Sequence, residues 1–213
     1  GEEERKQDCE LKAFKRLVRK IKKTYPRLPV CIAADGLYVA ENVLELCESY
    51  HWKYIIRYKE GCAKSIEEEY LAIAEKEKSA NTEYVNGVIY KSRTVNMLVQ
   101  KEIEKKKGKE KINIYKWITN LKITKKNAEK IAYGGRLRWK IENQGFNRQK
   151  HWQGNLEHAC SWNAQAQKNH YLMQQIADFM RQLYEYFYLE KNKIKKVQKN
   201  IPSDILQSFG ELT

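Results

Sequence analysis

The sequence predicts an α/β protein that carries an inserted, mostly-β segment and ends in helices. Three observations predict it. Helix-like and strand-like patterns alternate in close succession from residue 9 to residue 61, as a parallel α/β unit requires. Between residues 80 and 124 the texture changes to β-branched and aromatic alternation. From Lys125 onward apolar residues return at three- and four-residue steps. The boundaries expected are therefore 1–79 for the α/β part, 80–124 for the insertion and 125–213 for the helical part.

The elements follow in order. In CELKAFKRLVRKIKKTY (9–25), Leu11, Phe14, Leu17, Val18 and Ile21 mark one helix face, and Pro26 and Pro29 end it. LPVCIAADG is a short apolar run closing on Asp35-Gly36, a buried strand and its terminal turn. ENVLELCESY (41–50) predicts a helix and WKYIIRYKEG (52–61) a strand. KSIEEEYLAIAEKEK (64–78) predicts a charged helix. Asn86-Gly87, between β-prone runs, predicts a hairpin turn. KEIEKKKGKEK (101–111) predicts an exposed loop, and INIYKWITNLKIT (112–124) a strand. KKNAEKIAYGG and RLRWKIENQGFNRQK predict helix, with Gly145 a candidate break. A long helix is expected from about Ser161 to Lys191, with Leu172, Ile176, Phe179, Leu183 and Phe187 as a core stripe. A short helix follows Pro202.

Composition narrows the function. Of 213 residues, 42% are hydrophobic, enough for a core, so wholesale disorder is not expected. The net charge of +14 points to a polyanionic partner, nucleic acid before an anionic membrane surface. A solvated Lys-rich surface is the plain alternative. No run of 18 apolar residues exists, so no membrane span is expected. The charged start GEEERKQDCE reads as neither a signal nor a transit peptide. Five widely spaced cysteines without a CxxC predict reduced thiols and no zinc site.

Two carboxylates stand out. Asp35 ends a buried strand, where α/β sheets gather ligands; Asp before Gly is equally common turn chemistry. Glu142 follows Arg138 by one helical turn, which a surface ion pair explains. Its neighbourhood is nevertheless basic: Arg136, Arg138, Lys140, Arg148 and Lys150, with Trp139 and Trp152. Carboxylates that hold a divalent cation amid bases that hold phosphates are what metal-assisted phosphoryl transfer uses. Tyr115 and Trp117, two apart on one strand, have two readings: core, or a stacking surface for an unpaired base. His51, His151, His158 and His170 fall in no nucleophile pattern.

RLRWKIENQGFN, followed by NLEHACSWNAQA and an apolar helix, resembles the C-terminal catalytic segment of bacterial insertion-sequence DDE transposases. There the third catalytic acid lies in an Arg-Trp-x-Ile-Glu run, here Arg138, Trp139, Ile141 and Glu142. KQDCELKAFKRL and LPVCIAADGLYVAENVLELCESYHWKYIIRYKEG are similar to the family as well, which places the second acid at Asp35. The resemblance covers roughly Lys6 to Phe187. It implies a ribonuclease-H-like core with a β-rich insertion between the second and third acids. It also implies metal-dependent DNA cleavage and strand transfer at transposon ends. Asp35 and Glu142 would be ligands of Mg2+ (or Mn2+), and Arg138 would hold a phosphate beside them. Tyr115 matches the aromatic that related proteins place about four residues before a Thr, here Thr119. Implied partners are double-stranded DNA, at transposon ends and target, and a second copy in a homodimeric synaptic complex. The implied setting is the bacterial cytoplasm, at the nucleoid. Asn155, Glu157 and His158 belong to the family-like NLEH run.

The sequence departs from the family pattern in three places. The family's first catalytic Asp lies on an earlier strand, and the first three strands have no counterpart here. A truncated chain, inactive alone, is therefore expected, and a non-catalytic DNA-binding remnant is the alternative. Family members often carry Tyr three residues before the Arg, where this chain has Gly135. Some branches carry Lys seven residues after the Glu; here that is Gln149, with Lys150 one step later. Seven steps keep a residue near the face of Glu142, whereas eight put Lys150 about 80° away from it on an α-helix. A basic structural protein that shares only a helical motif is the third reading. Salt-dependent DNA binding would separate it from the other two.

Overall fold

The computed structural model describes residues 2–106, 109–153, 160–197 and 200–211. The chain divides into two compact units, Gly1–Trp139 and Lys140–Thr213.

The first unit is built on a mixed six-stranded sheet in the order β1-β2-β6-β5-β4-β3. Its strands are β1 (Cys31–Ala34), β2 (Lys53–Tyr58), β3 (Glu77–Ser79), β4 (Thr82–Tyr90), β5 (Arg93–Lys106) and β6 (Lys109–Thr119). β1 and β2 are parallel, as the intervening helix α2 (Glu41–Ser49) requires. All other pairs are antiparallel. This is the α/β class the sequence predicts. β2 is buried on both faces through Tyr54, Ile55, Ile56 and Tyr58, which explains its nearly continuous apolar run.

One face of the sheet carries the larger core. Helix α1 (Glu2–Thr24) contributes Val18, with Phe14 and Ile21 packed beside it. Helix α2 contributes Leu44 and Cys47, and α3 (Lys64–Ala72) contributes Ile66 and Tyr70. Leu17, expected on the buried face of α1, is exposed. The other face is covered by α4 (Ala128–Lys140), whose Ala128, Ile131 and Ala132 pack on Ile55, Tyr84, Leu98 and Trp117.

Several local expectations are corrected. Asn86-Gly87 is a bulge inside β4, where the register shifts between Val85 and Val88. The hairpin turns instead at Lys91-Ser92, between paired Tyr90 and Arg93. A bulge and a tight hairpin both want a residue at positive φ, and Gly87 sits at +81°. The Asn86 side chain donates to Ile123 O (2.9 Å) and accepts from Ile123 N–H (2.8 Å), tying the bulge to the loop after β6. The charge run 101–111, expected as a loop, continues β5 to Lys106 and resumes as β6 at Lys109. Its register sets Ile103 against Ile112 and Glu104 against Lys111, pairings that favour a ladder over a loop. Helix α3 stops at Ala72, and after an irregular stretch over 73–76 the chain enters β3 at Glu77, inside the segment expected as helix.

The second unit contains α5 (Ala164–Tyr184), a π-helical continuation Glu185–Glu190, and α6 (Ile201–Gly210). Asn163 caps α5 by accepting from the N–H groups of Gln165 (2.9 Å) and Ala166 (3.0 Å). The stripe Leu172, Ile176, Phe179, Leu183 and Phe187 was expected as core, yet each residue is 39–62% exposed. Periodicity reports which face of a helix is apolar, not whether anything covers it. The buried residue of α5 is Arg181, held by Asp178 (2.9 Å) and Glu185 (2.5 Å).

Candidate catalytic carboxylates and nucleic-acid interface

Asp35 is the residue after β1 and caps the 3-10 turn Gly36–Tyr38. Its Oδ1 accepts from Leu37 N–H at 3.1 Å, which leaves Oδ2 to other partners. The turn is fastened to α1: Tyr38 Oη donates to Glu10 at 2.9 Å, and the Phe14 and Tyr38 rings meet edge-on at 5.0 Å. Burial, the Glu10 bond and the nearby acids together push the Tyr38 hydroxyl well above its ordinary pKa, so it stays a donor. Gly36 is there because of a close approach: a Cβ would lie 2.8 Å from Cys62 Sγ. The Asp-Gly pair thus has a packing reason as well as a turn reason.

Alternation carries Asp35 onto the same sheet face as Ala33, since its backbone is extended (φ −92°, ψ −175°). Ala33 is opposite Ile55 in β2, so Arg57, two residues on, shares that face at the carboxyl end of the parallel pair. Arg57 is opposite Trp117 in β6. Its guanidinium carbon lies 4.7 Å from the Tyr115 ring centre and 5.3 Å from that of Trp117. The two rings stack at 6.0 Å and 16°. Arg136, on α4, places its guanidinium carbon 5.0 Å from the Tyr115 ring and is ion-paired with Glu102 of β5. Burial, and then the charges of Arg136 and Arg138, lower the Arg57 pKa. Arg57 and Arg136 are neighbours over the one Tyr115 ring.

Trp117 is 1% exposed and packs in the core under α4. Its expected role as a DNA contact is corrected: no strand reaches a ring covered in this way. Tyr115 is half-buried at the border of the same core. Thr119, the reference point for Tyr115, is a structural residue. Its Oγ1 donates to Tyr54 O at 2.5 Å and accepts from Leu121 N–H at 3.1 Å, joining β2, β6 and the following loop.

Gly135 explains one departure from the family pattern. A Cβ there would lie 2.6 Å from Trp117 Cδ1 and 2.8 Å from Cε2, and at Gly134 it would lie 3.0 Å from Ile55 Cδ1. The glycine pair is where α4 comes closest to the sheet. No larger side chain fits at 135 while Trp117 fills the space beneath. The pair lies inside α4 and sets the height from which Arg136 and Arg138 emerge.

Lys140, Glu142, Arg148 and Lys150 belong to the second unit. Glu142 is exposed in a π-helical segment, Ile141–Phe146, whose wider turn is closed by Asn147 N–H donating to Glu142 O. Such segments recur at functional sites. The chain stays helical through Gly145, so the expected break is not there. Lys150 is exposed in a second π segment, Gln149–Gln153, and the rotation argued for an ideal α-helix does not carry over. Arg148 is half-buried, and burial followed by the charge of Arg181 lowers its pKa against the pull of Glu185 and Asp178. Asn155, Glu157 and His158 lie outside the described residues.

Carboxylate oxygens are the donors that Mg2+ or Mn2+ prefers, and Mg2+ needs only one or two of them beside water and phosphate oxygens. Among the described residues no group of three or more potential ligands comes together. Asp35 suits such an ion by donor type, and Glu142 does so within its own unit. Among the described residues no helix is long and apolar enough to cross a membrane.

Arg57 is the residue that sequence reasoning missed. The available signal was an arginine at an inward position of an otherwise apolar strand. No curated protein matches the chain. A family model does, that of the transposase DDE domain, and it spans residues 7–177, most of the chain and both carboxylates. With Asp35 at the carboxyl end of a parallel strand in an α/β sheet, and a family match over most of its length, this chain belongs to the transposase DDE domain family.

Proposed function

We propose that this chain carries the DNA-cleaving and strand-transferring chemistry of a transposase, with Asp35 and Glu142 as its metal-holding acids. The observation that supports the reading best is that strand register puts Asp35 and Arg57 on one face of the sheet, at the carboxyl end of the parallel pair, inside a family match that also covers Glu142. Asp35 is pre-oriented by Leu37 N–H and by the anchored turn behind it. In the first unit Arg136 and Arg138 neutralise phosphate charge, and in the second unit Lys140, Arg148 and Lys150, by charge and by resemblance, do the same along their own stretch of DNA backbone. Tyr115 offers a ring edge to a displaced base. Mg2+ or Mn2+, when bound, supplies Lewis-acid polarisation of the phosphate and charge neutralisation. Double-stranded DNA is the substrate, and two copies act on paired transposon ends.

The test uses the protein expressed from the complete reading frame and a supercoiled plasmid carrying the element's ends. Glu142→Ala and Asp35→Ala are each expected to abolish Mg2+-dependent nicking while DNA affinity stays within about twofold of wild type. Persistent nicking in either variant removes that residue from the site. Arg138→Ala is expected to weaken both binding and cleavage. The second reading is a DNA-binding remnant without chemistry. Salt-sensitive binding with no metal-dependent nicking would establish it.

A further inference from the structure

We propose that Arg57 and Arg136, stacked on Tyr115, bind a phosphate of the DNA backbone, and that Glu102 fills that anion position when DNA is absent. The inference rests on the reading of this chain as a DNA-acting protein and adds to it a residue, Arg57, and a placeholder, Glu102.

Four features carry it. First, the two guanidinium groups share one ring, at 4.7 and 5.0 Å from its centre. Stacking fixes a planar fork in place, and a fixed fork suits the paired oxygens of a phosphate. Second, Arg57 is under-satisfied. Its Nη2 makes a long 3.3 Å bond to Ile114 O, and its buried Nη1 meets no acceptor among the described residues. A buried charged donor without an acceptor is costly, so an arrangement that persists this way signals a partner to come. Third, like charges converge: Arg57 feels both Arg136 and Arg138. An incoming anion relieves that repulsion. Fourth, the acid that pairs with Arg136 is Glu102, on the neighbouring strand β5. Gln100 is opposite Tyr115, and Glu102, two residues on, falls on the same face. A carboxylate has the forked oxygens of a phosphate diester and can stand in for one. Arg136 is the accessible member of the cluster, with 44% of its side chain exposed.

The cluster lies on the sheet face that also carries Asp35. A phosphate held there would be on the side of the sheet where the acid acts.

The experiment measures binding of the 213-residue chain to a short fluorescent duplex of mixed sequence, by anisotropy, across a salt series. Glu102→Gln removes the placeholder's charge and is expected to tighten binding about two- to fivefold. Arg57→Met is expected to weaken it about tenfold or more and to lower the salt slope by about one. Arg57→Lys keeps the charge and loses the fork, so the slope should hold while part of the affinity goes. If Arg57→Met does not fold, Glu102→Gln and Arg57→Lys decide. Glu102→Gln sits at a side chain that is 30% exposed, and its thermal midpoint reports whether the fold is intact. Wild-type binding that Glu102→Gln fails to tighten and Arg57→Lys fails to weaken overturns this inference and leaves the transposase reading standing. A wild-type chain with no salt-dependent affinity for the duplex overturns the DNA-binding reading along with it.

Discussion

Replacing Gly135 by alanine tests the packing that positions the arginines. The added methyl would lie 2.6 and 2.8 Å from Trp117 ring carbons. The ring cannot easily give way, because Trp117 is 1% exposed and wedged among Ile55, Leu98 and Ile131. Overpacking of this kind costs about 1–3 kcal/mol. Against it, alanine is favoured over glycine inside a helix by about 1 kcal/mol. The contact is too short for a small adjustment, so the upper part of the overpacking range applies and the net loss should be about 1–2 kcal/mol. Urea unfolding followed by far-ultraviolet circular dichroism measures it. The Trp117→Phe background supplies the control: a smaller ring leaves room, and the alanine should then be neutral or stabilising. The two substitutions are expected to couple by about 1 kcal/mol or more. A Gly135→Ala protein as stable as wild type, with additive effects in the double mutant, would refute the claim that helix–sheet approach dictates this glycine. The same substitution lifts α4, so DNA affinity through Arg136 and Arg138 should fall along with stability.

Gly36→Ala is expected to destabilise the first unit by about 1–3 kcal/mol, since its Cβ would meet Cys62 Sγ at 2.8 Å. Cys62→Ala should restore most of that loss, and failure to do so would move the cause to the turn itself. Cys47 is fully buried, and burial pushes its thiol from 9.0 up to about 11. The folded protein therefore holds the proton that the unfolded chain releases first, so this group's stabilisation is intact below pH 9.0 and is lost as pH rises through about 11. In alkylation at mildly alkaline pH, the exposed Cys160 should react in the native protein and Cys47 only after unfolding. Equal rates for the two would show that the core around Cys47 opens freely.

Much of the molecule was legible because its signals are local. An apolar run ending in Asp-Gly marks β1 and the turn that holds Asp35, and the Arg-Trp-x-Ile-Glu run marks the segment with Glu142. The α/β class followed from alternating patterns that each span one element. Other features were misread for an equally local reason. Asn86-Gly87 satisfies a bulge as well as a hairpin. The charge run 101–111 looks like a loop until its register sets Ile103 against Ile112. The α5 stripe has a helical period whether or not a partner covers it, and here it is exposed.

By itself the sequence determined which residues carry charge and apolar surface, where strands and helices lie within a few residues, and which family the acids belong to. Only the tertiary structure decided that Trp117 is core, that Gly135 must be small, and that Arg57 joins Tyr115, Arg136 and Glu102 on one face. The physical reason is range. Periodicity and turn chemistry act between near neighbours along the chain. A close approach of helix to sheet, or a guanidinium stacked on a ring from another strand, depends on residues that the fold alone brings together.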